Sequence, residues 1–266
     1  MGLTTNLPRE VETLLQAFRQ QLLIELPNQI YGIYLYGSIA LDAYDPINSD
    51  IDIVVLLHTD PTESTIQTIT HIHQSLVSAN PLAKRMDGMF IPIRYLGKQN
   101  DNVPPYLYVT DGKVRKGKWD LNAVTWWTLK QHGITIYGPE CKELLIDLCW
   151  DDVVQTLDYN LNHYWKRRSN NSLPFLQDGI RADAVCTMCR IMFSLEHQQV
   201  APKVKAVRHV LNELPEEWHP LLLESIAIRE GHRKSLSIWA RWNRAKQTQT
   251  FLRSMIVRSS QTYLHK

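Results

Sequence analysis

Apolar residues Val11, Leu14, Leu15, Phe18, Leu22 and Leu23 recur at three- and four-residue spacing, which predicts an amphipathic helix over residues 8–25. The next apolar stretches have a different character. Residues 29–36 are rich in β-branched and aromatic side chains and residues 51–57 are nearly all apolar, so each predicts a buried strand between turn signals. Between them, residues 38–44 fit one or two short helical turns, and Asp45-Pro46-Ile47-Asn48 predicts a turn. A second helix is predicted over residues 62–79, capped by Thr62 and stopped before Asn80-Pro81. A third strand is predicted over residues 88–95. Residues 101–119 are polar and turn-rich, and Lys113, Arg115, Lys116 and Lys118 read as a solvated basic loop.

From Leu121 the pattern turns helical as far as Gly133, then Ile134-Thr135-Ile136-Tyr137 predicts a short strand ended by Gly138-Pro139. A helix from there to about Cys149 is expected to complete the first domain. Beyond Asp151 the periodicity is helical with almost no strand signal, broken at Asn170-Asn171-Ser172-Leu173-Pro174 and at Leu214-Pro215. An α/β domain followed by a helical bundle is the architecture implied.

Composition changes this picture little, but it narrows the function. The 266 residues are 44% hydrophobic, enough for one large or two ordinary domains with a proper core. With 29 basic and 27 acidic residues the formal net charge is +2, so no general nucleic-acid surface is expected. No apolar run approaches the length that spans a bilayer and no signal peptide opens the chain, so a cytoplasmic protein without a membrane partner is expected. Cys141, Cys149, Cys186 and Cys189 lack a partner histidine at zinc spacing, and all four are expected to be reduced. The ten histidines are scattered along the sequence, and His71-x-His73 on a predicted helix makes a poor metal pair because i and i+2 diverge.

The chemistry concentrates in Tyr36-Gly37-Ser38-Ile39-Ala40 and Ser49-Asp50-Ile51-Asp52-Ile53-Val54-Val55. On a strand Asp50 and Asp52 point to one face while Ile51, Ile53 and Val55 point to the other. Two hard oxygen ligands on one rigid edge suit Mg²⁺, which is usually held by one or two carboxylates plus substrate phosphates. Gly37 permits close approach of the backbone to a phosphate, and Ser38 offers an amide and a hydroxyl at a helix N-terminus, where anions bind.

A Gly-Ser turn followed by Asp-x-Asp resembles the motif of the polymerase-beta-like nucleotidyltransferases. That family uses a third carboxylate on a later strand, a place that Asp87 fills in Met86-Asp87-Gly88-Met89-Phe90; antibiotic-modifying members usually carry Glu there. The segments from Arg181 to Ser194, from Val200 to Lys203 and from Leu214 to Glu224 resemble the helical domain of the aminoglycoside adenylyltransferases acting on streptomycin and spectinomycin. Tyr137-Gly138-Pro139-Glu140 is similar to the end of their first domain.

The resemblance implies an α/β (α+β) nucleotidyltransferase domain with a mixed sheet over residues 1–150, then an all-α helical bundle over residues 151–266. It implies transfer of AMP from ATP to a hydroxyl of an aminoglycoside or aminocyclitol, conferring antibiotic resistance, by a monomer with two Mg²⁺ ions. Asp50, Asp52 and Asp87 are the expected metal ligands and Asp87 the expected base. Gly37, Ser38, Ser49, Arg190, Lys203 and its rival Lys205 are the expected nucleotide-binding residues, with Arg190 and Lys203 supplying cations to the triphosphate. Trp165, Asp178 and Asp183 are candidates for the polycationic acceptor. At the place of a family tyrosine near adenine this chain has Arg229. Two other readings stay open: transfer to another acceptor, such as a protein, a tRNA end or a small hydroxyl compound, and a non-catalytic, antitoxin-like nucleotide-binding module.

Overall fold

In the computed structural model, which describes residues 7–232 and 235–264, the chain divides into two compact units, Met1–Leu148 and Cys149–Lys266. The first unit opens with helix α1 (Arg9–Glu25), strand β1 (Ile30–Leu35), the single helical turn α2 (Gly37–Ala40), strand β2 (Ile51–Leu57) and helix α3 (Glu63–Ala79). Strands β3 (Met86–Pro92), β4 (Tyr106–Thr110) and β5 (Lys113–Gly117), helix α4 (Ala123–His132) and strand β6 (Ile134–Tyr137) follow.

The six strands form one mixed sheet in the order β5-β4-β3-β2-β1-β6. Only the β2–β3 pair is parallel, because α3 carries the chain back across the sheet between them; the other four pairs are antiparallel. The apolar faces of α1 and α3 pack on the side of the sheet that presents Ile33, Leu35, Ile51, Ile53, Val55 and Phe90. Burying a face of this kind contributes about 25 cal/mol per Å² of apolar surface. The Thr62 hydroxyl accepts from the Thr65 amide, so the predicted cap forms. The strand period then sends Asp52 and Asp87 to the opposite face.

Three expectations need correcting. The third strand ends at Pro92, and Ile93–Tyr95 forms a 3₁₀ turn instead of continuing it. Residues 106–117 form the β4–β5 hairpin, where a loop was expected. Its two-residue turn has Asp111 at φ 51° and Gly112 at φ 69°, the left-handed pair that matches strand twist. Of the basic residues predicted as a loop, Lys113, Arg115 and Lys116 therefore lie exposed on an edge strand, and Lys118 falls just past its end. Residues 140–149 hold only a 3₁₀ turn, Cys141–Glu143. After it Leu144 is buried, Leu145 is 90% exposed and Ile146 is buried, an alternation of extended chain.

The second unit comprises α5 (Trp150–Tyr159), a π-helical stretch (Asn160–Trp165), α6 (Lys166–Arg168), α7 (Asp178–His197), α8 (Lys203–Val210), α9 (His219–Arg229) and α10 (Ile238–Ser259), with no strand among the described residues. Helix α7 is its spine, packed by α8, α9 and α10. Cys186 and Cys189 are fully buried on it, and all four cysteines are free. Burial raises the pKa of both α7 thiols, so they behave as small apolar side chains. Among the described residues no helix is long and apolar enough to cross a membrane.

Candidate nucleotidyl-transfer site

Three chain segments meet at one end of the first unit's sheet. β1 runs out there into Tyr36-Gly37-Ser38, and the parallel strands β2 and β3 both begin there. The Tyr36 amide donates to the Asp52 carbonyl (3.0 Å), which fixes the turn against the start of β2. Asp52 and Asp87 are direct register partners. In a parallel pair, partners project to the same side, so two half-buried carboxylates stand side by side. Asp50 lies two residues before Asp52, exposed and just outside the strand.

Gly37 makes this approach possible. Its φ is +68°, and a Cβ added to it would sit 1.9 Å from Oδ2 of Asp52. Gly37→Ala is therefore expected to lower stability by more than the roughly 1–2 kcal/mol of a left-handed L-residue, because the Asp52 carboxylate must also move. Thermal or urea unfolding checks this, and an unchanged midpoint would mean that the turn reforms elsewhere. Next to Gly37, Ser38 has a buried Oγ that finds no partner among the described residues. A buried hydroxyl without a partner costs about 1–3 kcal/mol, a cost a phosphate oxygen would relieve.

The electrostatics are those of crowded carboxylates. Burial, with Asp50 next, pushes the Asp87 pKa up to about 6; Asp111 and Asp120 add to the rise, and a hydrogen bond from Thr110 opposes it. Tyr36 is buried as well, and its phenol is held neutral first by burial and then by Asp52, Asp120 and Asp87. A divalent cation is the natural counter-charge for such a set, and the oxygen-only donors Asp50, Asp52 and Asp87 fit Mg²⁺.

Ser49, expected to touch nucleotide, closes the turn that delivers Asp50: its hydroxyl accepts from the Asp45 amide and its own amide donates to the Asp45 carbonyl, both at 3.0 Å. Asp45 in turn accepts from the Ile47 amide (2.7 Å). Arg85, absent from the sequence reading, grips the same turn by donating to the carbonyls of Pro46, Ser49 and Asp45. It stands two residues before Asp87, so one side chain ties the approach to β3 to the approach to β2. Partners 36 to 40 positions apart leave no local sequence signal.

In the second unit the structure gathers Lys203, Arg229 and Arg190 around Asp183. Lys203, at the start of α8, donates to Asp183 Oδ1, and Arg229, at the end of α9, reaches the same oxygen at 3.4 Å. Burial works to raise the Asp183 pKa, but Lys203, then Arg229 and Arg190, hold it below the ordinary carboxylate value. Burial also lowers the Lys203 pKa; Asp183 opposes this, and Arg190 and Arg229 add to it. The net charge of this cluster is positive, so it offers an anion more than it offers a polycation. Lys205 is exposed, two positions further along α8.

Asp178 lies elsewhere: it pairs with the fully buried Arg181 (2.9 Å), which also binds Glu224 (2.9 Å), and Glu224 holds Arg244 (2.6 Å). That chain of charges ties α7, α9 and α10 together. Trp165 is buried at the end of the π-helical stretch, edge-on to Tyr164. Arg229, expected only at the place of a family tyrosine near adenine, is found beside Lys203 on Asp183.

Comparison with known proteins agrees with this two-part construction. A family model described as a nucleotidyltransferase domain matches residues 11–88, and one described as the C-terminal domain of aminoglycoside adenylyltransferase matches residues 164–256. A spectinomycin 9-adenylyltransferase of Campylobacter jejuni is 25% identical over 215 residues, covering 74% of this chain and 77% of its own. An aminoglycoside (3'') (9) adenylyltransferase of Klebsiella pneumoniae is 24% identical over 240 residues, covering 84% and 85%. The crystal structure of a spectinomycin adenyltransferase from Enterococcus faecialis with ATP and spectinomycin superposes with a TM-score of 0.70 at 18% identity, over 92% of this chain and 98% of that one. The first half of the chain is thus similar to a nucleotidyltransferase domain and its second half to the C-terminal domain of the aminoglycoside adenylyltransferases.

Proposed function

We propose that this enzyme transfers AMP from ATP to a hydroxyl of an aminocyclitol antibiotic, streptomycin or spectinomycin, with release of pyrophosphate. The observation that carries the reading is the register of Asp52 and Asp87 on neighbouring parallel strands, at the sheet end where Gly37 meets the Asp52 carboxylate. Asp50, Asp52 and Asp87 would hold Mg²⁺, which supplies charge neutralisation and orientation for the transferring phosphoryl group. Gly37 and Ser38 cradle a phosphate against backbone amides, and the buried Ser38 hydroxyl donates to a phosphate oxygen. Asp87 accepts the proton of the acceptor hydroxyl.

Arg190 and Lys203 supply positive charge to the triphosphate, and Arg229 joins them. Asp183 then serves chiefly to hold these cations in place, which leaves Asp178 and Trp165 as candidates for the acceptor.

Incubation of the purified chain with ATP, Mg²⁺ and each drug tests the proposal. Mass spectrometry should show a drug carrying one added AMP, and the same gene should protect a sensitive bacterium. ATP binding with neither drug modified would assign the acceptor to another class.

A further inference from the structure

The second unit carries a group of side chains that the transfer chemistry does not use. Glu196 and His197 end α7, His209 lies in the last turn of α8, and Glu213 follows four residues later. One ligand atom from each of the four falls within 4.8 Å of all the others. The two imidazoles face each other through their Nε2 atoms at 2.8 Å, and His209 Nε2 is 2.7 Å from Glu213 Oε1. Glu196 Oε2 is 3.9 Å from both ring nitrogens.

Phe193 wedges both rings from below, at centroid distances of 4.5 Å from His197 and 5.1 Å from His209, within a small apolar cluster that includes Ala201 and Ala206. The rings are thus seated by packing. Tyr263 hydrogen-bonds Glu196, so one carboxylate is oriented from outside the group. Such an outer partner is what metal-ligating carboxylates commonly have.

We infer that Glu196, His197, His209 and Glu213 form a binding site for a divalent transition-metal ion of the zinc class. Two neutral imidazoles and two carboxylates give four ligands and cancel the charge of a dication, the nitrogen–oxygen set that suits Zn²⁺ better than Mg²⁺. Without metal, the 2.8 Å contact is a hydrogen bond in which one ring N–H donates to the other ring. A dication would replace that single bond by two coordinate bonds and bring in Glu196, which at 3.9 Å is too far away for a hydrogen bond. The ion would clamp the end of α7 to the end of α8, the two helices that carry Arg190 and Lys203. The clamp is separate from the nucleotide chemistry and does not depend on it.

The test uses untagged full-length protein, stripped with chelator and held in excess Mg²⁺ to occupy the carboxylates of the first unit. Calorimetric titration with Zn²⁺ should show one site per chain, and Co²⁺ should give the visible absorption of a four-coordinate complex. His209→Ala and His197→Ala should each weaken Zn²⁺ binding by about 10–100-fold or more. Saturating Zn²⁺ should raise the thermal midpoint of the parent chain and leave that of His197→Ala/His209→Ala unmoved, a comparison that requires each variant to fold without metal. Absence of Zn²⁺ binding by the parent, or equal binding by the double variant, overturns the inference.

Discussion

Asp52→Asn should reduce nucleotidyl transfer by on the order of 10³-fold while leaving the fold intact. The substitution keeps the shape of the side chain that faces Gly37 and removes one hard anionic oxygen from the proposed metal set. Loss of one ligand from a clamp of this kind removes several kcal/mol of stabilisation of the developing charge, and about 1.4 kcal/mol corresponds to each tenfold in rate. The expected signature is a collapse of kcat at any Mg²⁺ concentration, with circular dichroism and thermal midpoint close to those of the parent. Near-normal turnover would take Asp52 out of the metal set and leave Asp50 and Asp87 to hold it. The acidic variant Asp52→Glu separates charge from reach, because its longer stem must push past Gly37.

Asp87→Asn should also stop turnover, yet make the metal-free protein more stable above neutral pH. In the folded chain Asp87 ionises near pH 6, against an ordinary value of 3.8. Between those values the folded state holds a proton that the unfolded state has released, so stability falls as pH rises through about 6. The loss is complete above that pH and amounts to roughly 1–3 kcal/mol for a half-buried group. Asparagine cannot ionise, so the variant escapes the loss. Urea unfolding at pH 4 and pH 8 without divalent cations measures it: the variant should gain on the parent only at pH 8. Added Mg²⁺ should erase the advantage by stabilising the ionised parent. A variant no more stable at pH 8 than at pH 4, relative to the parent, would mean that Asp87 is not strained by its neighbours.

How far the sequence could be read depended on the range of the interactions. Strand β2 begins at Ile51, inside Asp-x-Asp, and runs on through the unbroken apolar stretch from Ile53 to Leu57, so its bounds follow closely from local polarity. Asp87 was legible through the resemblance, which asks for a third carboxylate on a later strand; its place opposite Asp52, on parallel strands that begin together, is a tertiary fact. The β4–β5 hairpin was lost because its charges outweighed its turn, although Thr110-Asp111-Gly112-Lys113 is a strong hairpin signal.

Residues 140–149 looked helical because Leu144, Leu145, Ile146 and Leu148 crowd together, but tertiary packing buries them in alternation. Long-range pairings left no mark at all. The hold of Arg85 on the turn before Asp50 spans 36 or more positions, and the meeting of Arg229 with Asp183 spans 46. The same holds for His197 and His209, scattered in the sequence and 2.8 Å apart in the fold. His73, read from the sequence as half of a poor metal pair, is buried between Phe18 and Phe90, where burial lowers its pKa to about 4.

The two ends of the sheet bear on how the protein behaves when crowded. A sheet edge is a template on which another chain can add a strand. Here one border is the strand carrying Lys113, Arg115 and Lys116, and the other is the four-residue β6, cut short by Gly138-Pro139. An incoming strand would meet repelling ammonium and guanidinium groups at the first border and too few amides at the second. The fold thus resists growing into a larger β-assembly, a safeguard against self-association at high expression that needs no help from the catalytic residues.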